Sequence, residues 1–172
     1  MKRTASRLLA LGLAALFSVG LMGCQPAEDS ASNEPAADAT ASLPDSALTV
    51  EQPWVRPGPA GGMSAAYFRL ANGTARADTL MEVRTPATDS VSIHETYHPT
   101  GDTTVSAMRP LPNVPVPPQQ RVALAPGGAH IMLVNLPRAL PSGDTLVIDL
   151  AFASGDTQRV HAPIRETPPT RP

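Results

Sequence analysis

Ser142-Gly143-Asp144-Thr145-Leu146-Val147-Ile148-Asp149-Leu150-Ala151-Phe152-Ala153-Ser154-Gly155-Asp156-Thr157-Gln158-Arg159-Val160-His161-Ala162-Pro163 is the stretch whose reading decides the fold class. Two runs of branched and aromatic residues with alternating polarity, 145–152 and 157–163, read as strands. The Ser-Gly-Asp triplets before and between them tolerate the positive φ that tight connections of antiparallel strands require. The same texture recurs upstream, predicting strands near 48–55, 64–71, 78–84, 90–97, 103–108, 120–124 and 130–136. Asn72-Gly73, Thr100-Gly101-Asp102 and Pro126-Gly127-Gly128 supply further turns. Strands this short and this evenly punctuated predict an all-β, Greek-key β-sandwich or barrel.

Composition agrees. The chain has 172 residues with 20 Pro and 12 Gly, while aromatic residues make up 3 % and charged residues 16 %. No window shows sustained helical periodicity with both caps. Pro110, Pro112, Pro115, Pro117 and Pro118 force an extended path that a central strand would not tolerate, so this segment is expected to be a stiff connection crossing one end of the sandwich. Asn72-Gly73-Thr74 also fits a glycosylation sequon, but the turn reading is preferred.

The amino terminus reads as an address. Lys2, Arg3 and Arg7 precede an apolar run from Leu8 to Met22, and Leu21-Met22-Gly23-Cys24 resembles a bacterial lipoprotein cleavage box in which Cys24 carries the lipid. Residues 1–23 are therefore expected to be a lipoprotein signal peptide. Residues 24–47, rich in Ala, Ser, Pro and acidic side chains, are expected to form a disordered tether. The folded domain is expected at 48–165, followed by a disordered tail at 166–172. Removing the leader leaves ten basic against fifteen acidic side chains, hence a net charge of −5. That balance argues against nucleic-acid binding.

His130-Ile131-Met132 is the most informative triplet. In a strand, residues two apart share a face with Cα atoms roughly 6.5 Å apart, so both donors can converge on one ion. His94 and Met108 each fall near the end of another expected strand. Two imidazoles and two thioethers form a soft, neutral donor set that suits Cu(I) better than Ca²⁺, Mg²⁺ or Mn²⁺, and zinc seldom takes thioethers. Cys24 is the sole cysteine, so the folded part offers no thiolate ligand and no disulfide. Taken singly, each of these Met and His residues reads as ordinary core or surface; their joint pattern carries the copper reading.

That pattern resembles the PCuAC-type copper chaperones, cupredoxin-like periplasmic domains that deliver Cu(I) toward the binuclear copper centre of cytochrome c oxidase. The resemblance covers roughly residues 49–164. It rests on Trp54-Val55-Arg56, Ala65-Ala66-Tyr67 with Asn72, His94-Glu95, Met108-Arg109-Pro110, Pro126-Gly127-Gly128-Ala129-His130-Ile131-Met132-Leu133, and Gly143-Asp144 before an apolar strand. The family motif is a His, a Met, 21 residues and then His-x-Met, and 21 residues separate Met108 from His130. The 13 residues between His94 and Met108 exceed the family's usual spacing, an excess that a hairpin loop around His98-Pro99-Thr100-Gly101 can absorb. His98 reads first as a polar turn residue, with a substitute or additional donor as its alternative; Met63 is a candidate auxiliary thioether at the rim but, without a spacing argument, reads as structural. Met81 and His161 read as structural.

The resemblance implies an extracytoplasmic, membrane-anchored carrier. It would bind one Cu(I) through His94, Met108, His130 and Met132, and pass it to a copper-acceptor protein such as the oxidase copper subunit or another chaperone. Copper buffering and a metal-free structural lipoprotein are the rival readings. A blue-copper centre would need a cysteine ligand, and no nucleophile elbow or metalloprotease helix motif is present, so the chain does not read as an enzyme.

Overall fold

The computed structural model describes residues 43–44, 46–99 and 104–169. The expected signal peptide, and the tether apart from residues 43, 44, 46 and 47, lie outside the described residues. Among those described there are ten strands and no helix: β1 Leu48–Val55, β2 Ser64–Asn72, β3 Asp78–Arg84, β4 Ser90–Tyr97, β5 Ala107–Leu111, β6 Val114–Val116, β7 Gln120–Leu124, β8 Ala129–Val134, β9 Thr145–Phe152 and β10 Thr157–Pro163. They form two antiparallel sheets. The larger runs β1-β2-β8-β4-β5 with β7 also paired to β2, and the smaller runs β10-β9-β3-β6.

The expected hairpin at 142–163 is the β9-β10 pair, in unbroken register from Thr145↔Pro163 to Ala151↔Thr157. Gly143 and Gly155 take φ of 100° and 92°, which a side chain would strain, so glycine is the residue each turn needs. Leu146, Ile148, Leu150 and Phe152 point inward, where they meet Phe68, Leu70, Ile131 and Leu133 from the facing sheet. This apolar layer holds the sheets together, because each buried side chain of this size contributes roughly 1.5–3 kcal/mol of transfer free energy.

The proline-rich segment differs from the sequence expectation in one respect. Pro110 and Leu111 complete β5, and Val114–Val116 forms the short strand β6 in the other sheet. The chain therefore crosses from one sheet to the other and pairs on both sides of the crossing. Both strands are edge strands. An edge strand needs hydrogen bonds on one side only, which is why prolines are tolerated there. Val114 and Val116 are buried, and that packing places β6 against β3.

At the opposite edge the sheets are stitched together. Arg165 N donates to Val55 O at 2.9 Å, and Gln158 Nε2 donates to Leu48 O at 2.7 Å. Asn72 closes β2 with its side chain fully buried. Its Nδ2 donates to Arg76 O and Val116 O, while its Oδ1 accepts from Thr74 N and Thr74 Oγ1. The amide is committed on every side, in accord with the turn reading and against the sequon.

Candidate metal centre

Strand alternation divides the donors from the core. In β8, Ile131 and Leu133 face the apolar interior, which leaves His130 and Met132 on the outward face of the larger sheet. In β4, Ile93 faces inward and His94 outward. His94 lies directly opposite His130, and Ser92 directly opposite Met132. Residues paired in this way share a face. Met108 pairs with Thr96, two residues beyond His94, and so joins the same outward face from β5. Three strands thus carry all four expected donors to one side of one sheet, near the end marked by the Pro126-Gly127-Gly128 turn.

The two imidazoles form the centre of this arrangement, with ring centroids 6.2 Å apart. His130 is buried, at 6 % exposure, and its Nδ1 lies 3.0 Å from Gly128 O. A carbonyl can only accept, so Nδ1 carries the proton in this contact and a neutral ring presents its Nε2 lone pair elsewhere. A backbone carbonyl that fixes one ring nitrogen in this way commonly orients a metal-binding histidine. His94 is half-buried, and its Nδ1 is the one buried side-chain nitrogen or oxygen without a hydrogen-bond partner among the described residues. An unsatisfied buried nitrogen costs about 1–3 kcal/mol, a cost that coordination would relieve.

Aromatic residues extend the row. Trp54 stacks on Tyr67 with centroids 4.6 Å apart, and Tyr67 lies 6.3 Å from His130. A bulge between Glu51 and Trp54, where Gln52 takes φ of 49°, brings Trp54 opposite Tyr67. Neither ring belongs to the apolar cluster between the sheets. Together they continue the row from His130 across β2 to β1.

An open depression of about 500 Å³ lies over this face, lined by Met63, Tyr67, Met108, His130 and Met132, with Arg56 and Glu166 also on its wall. His94 stands beside it and is not part of its lining. Among the described residues no group of three or more His, Cys, Asp or Glu could hold a metal ion, so a metal here would depend on the thioethers. That matches a soft monovalent ion and disfavours oxygen-seeking cations. A larger cleft of about 830 Å³ runs past β3 and β5. No histidine lines it, and four of its charged side chains are paired, Arg84 with Glu82 at 2.7 Å and Arg159 with Asp149 at 2.8 Å.

The excess residues between His94 and Met108 fall outside the ladder, whose last pair is Tyr97↔Ala107. His98 lies in that connection, where its Nδ1 contacts Val105 O at 2.8 Å. It does not line the depression, whereas Met63 does. Met63's position near Met132 had no signature in the chain, because it depends on how the loop before β2 folds back over the sheet.

The all-β, two-sheet fold is that of the PCuAC class of domains. The chain belongs to the LpqE-like family, described as "Putative lipoprotein LpqE-like", which it matches over residues 48–164. It is 29 % identical over 161 residues to "Putative lipoprotein Lxx21020" of Leifsonia xyli subsp. xyli, a match covering 94 % of this chain and 92 % of the relative. Among solved structures it is similar to the apo PCuAC domain from PmoF1, with 28 % identity, a TM-score of 0.56, and coverage of 74 % of this chain and 100 % of that one. It is also similar to the Cu(I) form of DR1885 from Deinococcus radiodurans, with 26 % identity, a TM-score of 0.54, and coverage of 76 % and 84 %. The copper-bound PCuAC domain from PmoF2, at 24 % identity and a TM-score of 0.56, shares the fold over 73 % of this chain and 100 % of that one.

Proposed function

We propose that this chain is an extracytoplasmic, lipid-anchored copper chaperone that binds one Cu(I) through His94, Met108, His130 and Met132 and passes it to an acceptor protein. The observation that carries this reading is the register pairing of His94 with His130, with Met108 and Met132 on the same face. The likeness to PCuAC domains, one of them solved with Cu(I), supports it.

Each residue has a defined role. His130, oriented by Gly128 O, offers Nε2 to the ion, and His94 provides the second imidazole from the neighbouring strand. Met132 and Met108 flank the pair, and Met108 is 56 % exposed. Four neutral donors leave the ion's charge uncompensated, which favours release to a partner with thiolate ligands. Ligands would exchange one at a time at the open side, and no substrate is chemically transformed, so the chain acts as a carrier and not as an enzyme. Residues 1–23 would direct export, lipid on Cys24 would hold the chain at the membrane, and 24–47 would act as a tether for the domain at 48–165.

Titration with Cu(I) under reducing conditions tests the reading. A 1:1 complex is expected, abolished when His130 and Met132 are both changed to Ala. Absence of binding tighter than roughly micromolar would favour a metal-free structural lipoprotein. Transfer from the loaded chain to the apo copper domain of cytochrome c oxidase tests the acceptor, since a copper buffer would show no preference for it. Cys24→Ser is expected to move the chain out of the membrane fraction.

A further inference from the structure

We propose that Met63 is a fifth donor, the thioether through which the ion enters and leaves the site; this rests on the copper reading above. Met63 lines the same depression as Met108, His130 and Met132. At 57 % exposure it matches Met108 at 56 %, whereas His130, at 6 %, lies at the floor. An apolar side chain left this exposed forgoes the stabilisation of burial. Two such methionines at one mouth, next to a buried imidazole, form a graded series of donors from floor to solvent. Met81, the other exposed methionine among the described residues, lies in the larger cleft.

The backbone that offers Met63 is held in place. Gly61 N donates to Leu136 O at 2.7 Å, Leu136 N to Gly62 O at 3.1 Å, and Leu140 N to Gly58 O at 2.8 Å. Gly58 approaches so closely that an added Cβ would lie 2.9 Å from Met63 O. The loop therefore presents a flexible side chain from a fixed base, as an exchanging ligand requires. On the adjoining strand, Ala65 sits directly opposite Met132, and an alanine there leaves the space between the two methionines open.

The exchange needs no proton and no electron. Copper stays Cu(I) throughout, one Cu–N bond gives way to one Cu–S bond, and both donors are neutral before and after. The ion then rests on thioethers at the mouth, where a partner's ligand can reach it.

The test uses the intact chain in detergent with carbon-13 in its methionine methyl groups, loaded with one equivalent of Cu(I). The Met63 methyl signal is expected to shift together with those of Met108 and Met132, while that of Met81 stays put. Met63→Leu is expected to keep the 1:1 stoichiometry and to slow removal of copper by a bicinchoninate chelator about fivefold or more, the scale on which taking away one weak ligand along the exit path would act. Shifts at Met108 and Met132 without one at Met63, or wild-type removal rates for Met63→Leu, would overturn the proposal and leave the copper reading intact. If none of the three methyl signals moves, the copper reading fails and this inference fails with it.

Discussion

His94 and His130 face each other across the neighbouring antiparallel strands β4 and β8, as a register pair with ring centroids 6.2 Å apart. One ring nitrogen of His130 is fixed by Gly128 O, and Nδ1 of His94 is buried without a partner. The pair is thus held in place by the ladder and still has coordinating capacity to spare. Changing either histidine to Ala is expected to lower Cu(I) affinity by at least about tenfold, since even an outer-shell partner typically costs that much. Competition against a chromophoric Cu(I) chelator measures it, with circular dichroism to confirm the fold. Unchanged affinity in both variants would remove the histidine pair from the site.

Gly58→Ala is expected to destabilise the domain by about 1–3 kcal/mol, because the new methyl would sit 2.8 Å from Leu136 Cδ1 and 3.0 Å from Ser64 Cβ. Urea unfolding reads the effect. Wild-type stability would mean that the loop before β2 is looser than its hydrogen bonds to Leu136 and Leu140 imply.

Asn72→Ala removes a fully buried amide that makes four hydrogen bonds, one of them to Val116 O. A destabilisation of about 3 kcal/mol is expected, the scale of several neutral hydrogen bonds lost together. The copper stoichiometry is expected to stay at one, since Asn72 ends the strand whose other end adjoins the site. A thermal melt and a Cu(I) titration on the same sample check both halves.

Asp78 ties β3 to the β9-β10 turn. Partial burial raises its carboxyl, but Ser154 Oγ, Thr79 N and Ser154 N all donate to it and hold it, on balance, below the usual aspartate range. A folded value below the unfolded one means that the contribution is fully present above about pH 4 and fades as pH falls through the lowered value. Asp78→Asn is therefore expected to show a flatter acid limb in a plot of urea midpoint against pH, from neutral to about pH 3. An identical limb in both proteins would show that Asp78 titrates normally.

How much of this was legible in the chain follows from how far each signal reaches. The β9-β10 hairpin was readable because alternation and turn glycines are local, and the ladder from Thr145 to Pro163 follows them. The common face of His130 and Met132 was equally local, since a two-residue period fixes it within a single strand. The strand β6 was not legible because Pro115 and the prolines flanking it argue against pairing, and only the burial of Val114 and Val116 against the other sheet outweighs them.

The amino-acid sequence by itself determined the all-β class, most of the strands, and the chemical kind of the donors, because these depend on side-chain type and on the period of an extended backbone. Tertiary structure alone decided that His94 falls opposite His130, that Met108 reaches the same face from an edge strand, and that Met63 joins them from a loop. Register and loop placement are set by hydrogen bonds and packing between segments far apart in the chain, and no run of neighbouring residues encodes them.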